Sequence, residues 1–539
     1  MPFNLRSGRP SAALPAAPPA QPQPSPSPSP PPLLLLLVLV LLLAPRGASA
    51  LTVTVRNDVP RRDQWGGIVN AHDGSVVKFD GIYFMYGTVY ENCTQHGTQC
   101  DGCGYAPNKY SLYTSYDLQS WTFITDDILP EVDKDNHQVD YWMPVVYRNP
   151  VTSKYVMQFW SGHCGFANPC TEVAFADSPY GPFANITKIA LRGTPSSQMG
   201  FFADADGTAY VKYNTVGPDQ HHSVEKLAPD WASSTGEYAV LLWKPSFAWM
   251  EGGGMFKRGE LYYYMTGTDC CYCTWGGDAR FWTSYAPLGP WHPGVAPPLP
   301  SARCDLSGDW RAVAGSPDAP QSNETLTLTQ AAGSDNFTFH DKNGDAAGWI
   351  DQRTGFVTFP PSAGDQRGVV TSADGSAAGC DRVRWYGYES FIWCRAGADC
   401  ALPSYRDAPE VNLCADGSQP HEDIRVNPCD PNVEYGTNFT VPAQQFNVII
   451  VEVDDGAGGV KQEVLYYGER ANSTPDGNFS HNFQAWVPLE FDATTGAILP
   501  MTFPPSFDLD IVNTTSAAAP APAAASAVDN SGAAGAGAA

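Results

Sequence analysis

A glycine or polar turn followed by an alternating aromatic strand occurs five times in this chain. The copies are DGIYFMYGT (80–88), TSKYVMQFW (152–160), DGTAYVKYN (206–214), GELYYYMTG (259–267) and EVLYYGER (463–470). Successive side chains of a strand point to opposite faces, so each copy carries large apolar groups that need cover. A second element follows three of the copies: LYTSYDLQSWT (112–122), VAFADSPYGPF (173–183) and FWTSYAPLGPW (281–291). Units of this size form small antiparallel sheets that cannot bury both faces alone, and radial stacking solves that problem. With no long stretch of helical periodicity, the expected fold is all-β, a five-bladed β-propeller.

The spacing breaks once, because about two hundred residues separate the fourth and fifth copies. The runs LSGDW, TLTLTQ, NFTFH, GFVTFP, GVVTS and RVRWYGYESFIWCR fall in this gap, separated by turn residues. They read as a small antiparallel β-barrel or meander inserted between blades four and five. Blades one to four are expected over 51–302, the insert over 303–397, a Cys-rich connector over 398–436 and blade five over 437–513. The Ala/Gly/Ser tail, 514–539, lacks apolar periodicity and is expected to be disordered.

Residues 1–50 read as a secretory leader: a low-complexity Pro/Ser/Ala stretch, the apolar run Leu33 to Leu43, and the small-residue cleavage site Ala48-Ser49-Ala50. The apolar run is well short of the ~20 residues that span a bilayer, so no membrane attachment is expected after cleavage. All fourteen cysteines follow Ala50, an even number in an oxidising compartment, and disulfides are expected. Cys304, Cys380 and Cys394 lie at the ends of the insert and are candidates to staple it. CCYC (270–273) and CDGC (100–103) have no second ligand pair, so neither a metal nor any other cofactor is expected. Asn-X-Ser/Thr sequons stand at Asn92, Asn185, Asn323, Asn336, Asn438, Asn472, Asn478 and Asn513, as in a glycosylated secreted protein. A net charge of −25 leaves no basic stripe for phosphates and excludes nucleic acid as a natural partner.

In order along the chain, NAHDGSVVKFDGIYFMYGT, YWMPVVYRNPVTSKYVM, FFADADGTAYVKY, MEGGGMFKRGELYYYMTG and FQAWVPLEF resemble blade signatures of glycoside hydrolase family 43. They look most like its exo-β-1,3-galactanase branch. The resemblance covers roughly residues 65 to 291 and 437 to 510, and leaves out the insert.

Inverting glycoside cleavage needs one carboxyl to protonate the leaving oxygen and a second group to activate water on the opposite face. In a propeller such groups come from the innermost strands of different blades, so they are scattered in sequence. Glu251, beside Gly252 to Gly254, matches the family's general acid, and Phe247, Trp249 and Met250 would desolvate it. Asp73, in HDGSVV, stands where the wider family carries its base. The galactanase branch has Gly there and uses a late glutamine instead, which corresponds to Gln445, or to Gln444 if the register slips by one. As a carboxylate, Asp73 is the stronger proton acceptor, whereas an amide can orient water. A turn aspartate bonding its own backbone is the structural alternative for Asp73.

The chain departs from the family twice. Gln198 stands where the family has the acidic residue that tunes its acid, and Trp142 where the galactanase branch has a substrate-binding glutamate. Asp204 and Asp206 read as turn residues of the DADG hairpin. The resemblance places Tyr141, Trp142 and Trp275 near the sugar, whose flat C–H faces stack on aromatic rings, and makes His72 and Gln198 hydrogen-bonding neighbours. The expectation is a secreted, monomeric glycosidase acting on the terminal bonds of β-1,3-galactan or another galactose-containing polysaccharide or glycoprotein glycan. The alternatives are a carbohydrate-binding propeller that has lost catalysis and a structural matrix glycoprotein.

Overall fold

The structure, a computed structural model, describes residues 49–513 except 96–108, 133–140, 163–169, 193–195, 216–220, 244–249, 269–272, 297–302, 315–324, 342–343, 353–355, 360–366, 372–379, 387–390, 399–407, 419–426, 428, 431, 433–438 and 458. Apart from one 3₁₀ turn at Phe479–His481, the regular elements described are β-strands.

Five sheets form the propeller. Blade one is His72–Phe79, Ile82–Thr88, Tyr110–Ser115 and Thr122–Thr125; blade two is Tyr141–Arg148, Tyr155–Ser161, Cys170–Ala176 and Ala184–Ile189. Blade three is Ser196–Ala203, Ala209–Thr215, His221–Leu227 and Ser234–Trp243. Blade four is Met250–Glu251, Met255–Arg258, Leu261–Thr268, Arg280–Ser284 and His292–Pro293. Each recurring aromatic segment supplies the strand that pairs with the inner strand of its blade, and its apolar side chains on both faces need cover. Packing supplies it: Phe84, Tyr86 and Tyr110 of blade one meet Val146, Met157 and Phe159 of blade two in one buried cluster. Burying each such side chain contributes roughly 1.5–3 kcal/mol.

The fifth sheet draws on both ends of the described chain. Its order is Ser49–Arg56, Ser506–Asn513, Gln444–Asp454, Val460–Arg470, Phe483–Pro488. Thus Leu51–Arg56, read from sequence with the first four blades, pairs antiparallel with Ser506–Asn513 from Ser49↔Asn513 to Arg56↔Ser506. The first strands pack in a ring, blade one against two, two against three, and so on, with blade five returning to blade one.

Between blades four and five, eight strands from Gly308–Ala314 to Phe391–Arg395 close into an antiparallel barrel, because the first pairs with the last. Trp310, Trp385, Trp393, Phe337 and Phe359 fill its interior. Cys304 and Cys380 are joined by a disulfide, as are Cys414 and Cys429 in the segment that follows; Cys93, Cys170, Cys273 and Cys394 are disulfide-bonded as well. That following segment is tied down by polar groups. The Arg280 guanidinium bridges Asp278 at 3.1 Å and Glu410 at 2.9 Å. Asn412 donates to the carbonyl of Val441 at 2.9 Å and accepts its N–H at 2.7 Å. Burial, reinforced by the Asp278 charge, raises the Glu410 carboxyl well above its ordinary range.

No described helix is long and apolar enough to cross a membrane.

Candidate active site

The inner strand of every blade is interrupted near its start. Pairing with the second strand breaks between His72 and Ser75, Trp142 and Val145, Ser197 and Gly200, and Gln445 and Asn447. In blade four the strand is split outright, with Glu251 opposite Gly267 and pairing resumed at Met255. A bulge kinks its strand and re-aims the residues beside it. His72, Trp142, Ser197, Glu251 and Gln445 are therefore equivalent, each the last paired residue before the break. Asp73, Met143 and Gly252 follow with the same left-handed backbone, φ 44°, 57° and 59°.

These breaks touch their neighbours. Met143 N donates to Asp73 Oδ1 at 3.4 Å, and Asn447 Nδ2 to the Gly74 carbonyl at 3.3 Å. The backbone of Gly200 lies against Gly253 and Gly254. Gly252 lies so close to the Gln445 carbonyl that a Cβ on it would stand 1.7 Å from the oxygen. Trp160 Nε1 donates to the Ser196 carbonyl at 3.1 Å, linking blades two and three. One continuous ring of backbone thus gathers residues from 72 to 447.

Glu251 is 8% exposed. Its carbonyl accepts the Thr266 hydroxyl at 2.8 Å. The next carbonyl, Gly252, accepts the ammonium of Lys212, which is fully buried and lies 5.0 Å from the Tyr264 ring. Met250 is buried beside Glu251; Phe247 and Trp249 lie outside the described residues.

Asp73 is 1% exposed and makes no bond to its own backbone of the kind expected of a turn aspartate. Oδ1 accepts the Thr88 hydroxyl at 2.5 Å and Oδ2 the Tyr90 hydroxyl at 3.4 Å. Burial raises its carboxyl to about 7, with the Glu469 charge adding to the rise and the Thr88 hydrogen bond opposing it.

His72 directs Nδ1 to Glu469 Oε2 at 3.1 Å and Nε2 to the Ser480 carbonyl at 3.2 Å. Both partners can accept a hydrogen bond, which favours the protonated ring. Burial works against the charged form, but the Glu469 carboxylate outweighs it and the group is raised overall. The ring is stacked on Tyr90 at 4.1 Å, and Tyr90 in turn on Phe479 at 4.1 Å.

The structure separates the two late glutamines. Gln444 pairs across the sheet with Glu469 and Gln445 with Gly468, so their side chains leave opposite faces. Gln445 Nε2 approaches Met265 Sδ at 3.9 Å, and its Oε1 is buried with no hydrogen-bond partner among the described residues. Trp142 packs against Trp160 at 4.1 Å.

All three expected sugar-stacking rings are buried in core clusters, Trp142 with Trp160 and Phe446. Tyr141 is packed with Phe159 in the cluster between blades one and two, and Trp275 is buried with Cys273 and Phe439. An aromatic side chain serves either purpose, and sequence does not distinguish them. The backbone of Gln198 lies in the blade-three bulge, and its side chain is outside the described residues. Asp204 and Asp206 sit in the hairpin as expected, Asp204 N bonding the Thr208 carbonyl at 2.8 Å.

Glu469 is the residue that sequence reasoning missed. Oε2 takes His72, and Oε1 accepts both the N–H of Asp73 at 3.1 Å and the Tyr467 hydroxyl at 2.9 Å. One signal was available: the first four aromatic strands end on Thr88, Ser161, Thr215 and Thr268, while the fifth runs through Gly468-Glu469-Arg470. Among the described residues no group of three or more His, Cys, Asp or Glu is placed to hold a metal ion.

The inner strands of this propeller break at one level and bring acidic, amide and aromatic residues of different blades into one ring. The chain belongs to family 43 of the glycosyl hydrolases, whose model matches residues 68–344, over half of its length, and it is a glycosidase. A search of curated protein sequences finds no match. Among solved structures it is similar to a family 43 β-1,3-galactosidase (14% identity, 84% of this chain and 99% of that one, TM-score 0.43). It is also similar to exo-β-1,3-galactanases from Phanerochaete chrysosporium (14%, 85% and 99%, 0.37) and Clostridium thermocellum (15%, 84% and 100%, 0.36). The family assignment rests on the sequence model and not on these likenesses.

Proposed function

We propose that the protein is a secreted, monomeric, inverting exo-glycosidase acting on terminal galactosyl bonds, with β-1,3-galactan as the leading substrate. The observation that carries the catalytic part is the position of Glu251: of the five equivalent residues before the strand breaks, it is the one carboxylate. The galactan assignment rests on the resemblance of the blade motifs to the exo-β-1,3-galactanase branch. Secretion is supported by the leader-like first fifty residues and by the disulfides Cys304–Cys380 and Cys414–Cys429.

In this reading the Glu251 carboxyl gives its proton to the glycosidic oxygen as the bond to the anomeric carbon breaks. A water attacks that carbon from the opposite face and releases its proton to the Asp73 carboxylate. Should Gln445 act instead, its amide orients the water and the proton passes to solvent. Either route inverts the anomeric centre.

Proton NMR of a galactan digest, with a panel of aryl glycosides alongside, tests this reading. Release of α-galactose as the first product anomer is expected, and a β first product overturns inversion. A second reading, a binding propeller without turnover, is favoured by the enclosure of Asp73 under Thr88, Tyr90 and Met143 and by Gln198 in place of a tuning carboxylate. Saturable sugar binding with no product on any member of the panel establishes it.

A further inference from the structure

Among the described residues of the inserted barrel, the outward positions of two strands can be read from their alternation. Along Thr325–Gln330 the residues Leu326 and Leu328 point inward while Thr325, Thr327 and Thr329 face water. On Gly344–Ile350, Gly348 and Ile350 are buried, and Asp345, Ala347 and Trp349 face outward. Trp349 is 43% exposed, the one large hydrophobic residue so exposed among the described residues of the barrel. The interior is already filled by other aromatic rings, so this indole has no core to enter.

Its cross-strand partners are Thr358 on one side and Asn336 on the other. Residues directly opposite in an antiparallel pair project to the same face with Cβ atoms ~4.5–5.5 Å apart. Asn336 is itself exposed, and Asn336-Phe337-Thr338 is an N-glycosylation sequon. The register is pinned on both sides. The adjoining pair is Phe337 with Gly348, where any Cβ would come within 2.4 Å of the phenyl ring, so the ring lies over a residue that must be glycine. Ile350 N donates to the Asp335 carbonyl at 2.8 Å. Among the other described sequons, Asn92 and Asn478 bond each other, Asn185 and Asn472 sit in left-handed backbone, and Asn513 lies opposite Ser49.

We propose that Asn336 carries an N-linked glycan whose first N-acetylglucosamine lies over the Trp349 indole. Asn336 Nδ2 displaces the diphosphate of a lipid-linked oligosaccharide: an N–C bond forms at the anomeric carbon, the C–O bond to the diphosphate breaks, and one amide proton is lost. Nothing is oxidised or reduced. The ring's C–H face then covers the apolar surface that the barrel leaves in water, as aromatic rings take up apolar partners elsewhere. The proposal rests on passage through a secretory pathway, and it is independent of the catalytic assignments.

The test uses the full chain secreted from a eukaryotic host. Glycopeptide mass spectrometry reads occupancy at Asn336, and thermal unfolding is followed with the glycan intact, trimmed to its first sugar, and removed whole. Occupied Asn336 is expected, with trimming to one sugar leaving the barrel transition in place and complete removal lowering it by roughly 2–4 °C. In Trp349→Ala, complete removal is expected to cause no such drop; the charge left on Asn336 by amidase treatment is the same in both proteins and cancels. An empty Asn336 beside other occupied sequons overturns the glycan alone, and an entirely unglycosylated secreted product overturns it together with the secretory route. Equal losses in Trp349→Ala and the parent overturn the stacking.

Discussion

Glu469, in the fifth blade, accepts the backbone N–H of Asp73, in the first, at 3.1 Å. The same carboxylate pairs with the His72 ring, so one side chain both closes the ring of blades and orients the proposed base. Glu469→Ala leaves the buried His72 ring and the Asp73 N–H without their acceptor, and a loss of about 1–3 kcal/mol is expected in urea unfolding. As a positioning residue it should also lower kcat with little change in KM. A full kcat in a folded Glu469→Gln would confine it to a structural role.

Asp73 gives the pH dependence. Its carboxyl titrates near 7 in the fold against 3.8 in the unfolded chain, so the folded state holds an extra proton between those values. Stability contributed by this group therefore falls as pH rises through that window, by about 4 kcal/mol in all. If Asp73 is the base, activity falls below pH 7 as it is protonated. Asp73→Asn should flatten the stability slope and abolish turnover; an active Asp73→Asn with an unchanged profile shifts the water-activating role to Gln445.

Removing the proposed acid should leave the fold alone. Glu251→Gln keeps the size of the side chain and removes its ionisable proton, so thermal unfolding should match the parent while kcat on galactan drops ~10²–10⁴-fold. An undiminished kcat rules Glu251 out.

Gly252→Ala is expected to be disruptive. The position needs φ 59° and has the Gln445 carbonyl where a methyl would go. The left-handed backbone alone costs about 1–2 kcal/mol for an alanine, and the contact must also push blades four and five apart. Circular dichroism melts should show a lowered transition together with lost activity.

The Cys304–Cys380 disulfide closes a loop spanning a sequence separation of 76 residues. Chain-entropy arguments put its contribution at about 4 kcal/mol. Cys304→Ser with Cys380→Ser should lower the barrel's unfolding transition, read by Trp fluorescence, and leave the propeller's transition in place.

The strands beside the inner strands of all five blades were legible in the sequence, because short aromatic and aliphatic runs bounded by turn signals read as strands buried on both faces. The inner strands were less so: HDGSVVKF and YWMPVVYR lose their alternation at the bulge, where Asp73 and Met143 adopt left-handed backbone. The equivalence of Glu251 with Gln445 and His72 emerges only from the pairing register. Nothing local relates Glu469 to His72 across 397 positions. Nor does composition separate a Trp that meets a ligand from one that fills a core, which is why Trp275 and Tyr141 carried an expectation their burial does not support.

Leu51, the first residue after the expected leader, faces Ile511 near the end of a ribbon that belongs to the fifth sheet. Strands so paired can be joined by a two-residue turn. How the ring is closed is therefore separable from where the chain is cut. A permuted chain, linked there and opened in a loop of the barrel, would keep every blade seam intact while making the fifth sheet covalently continuous.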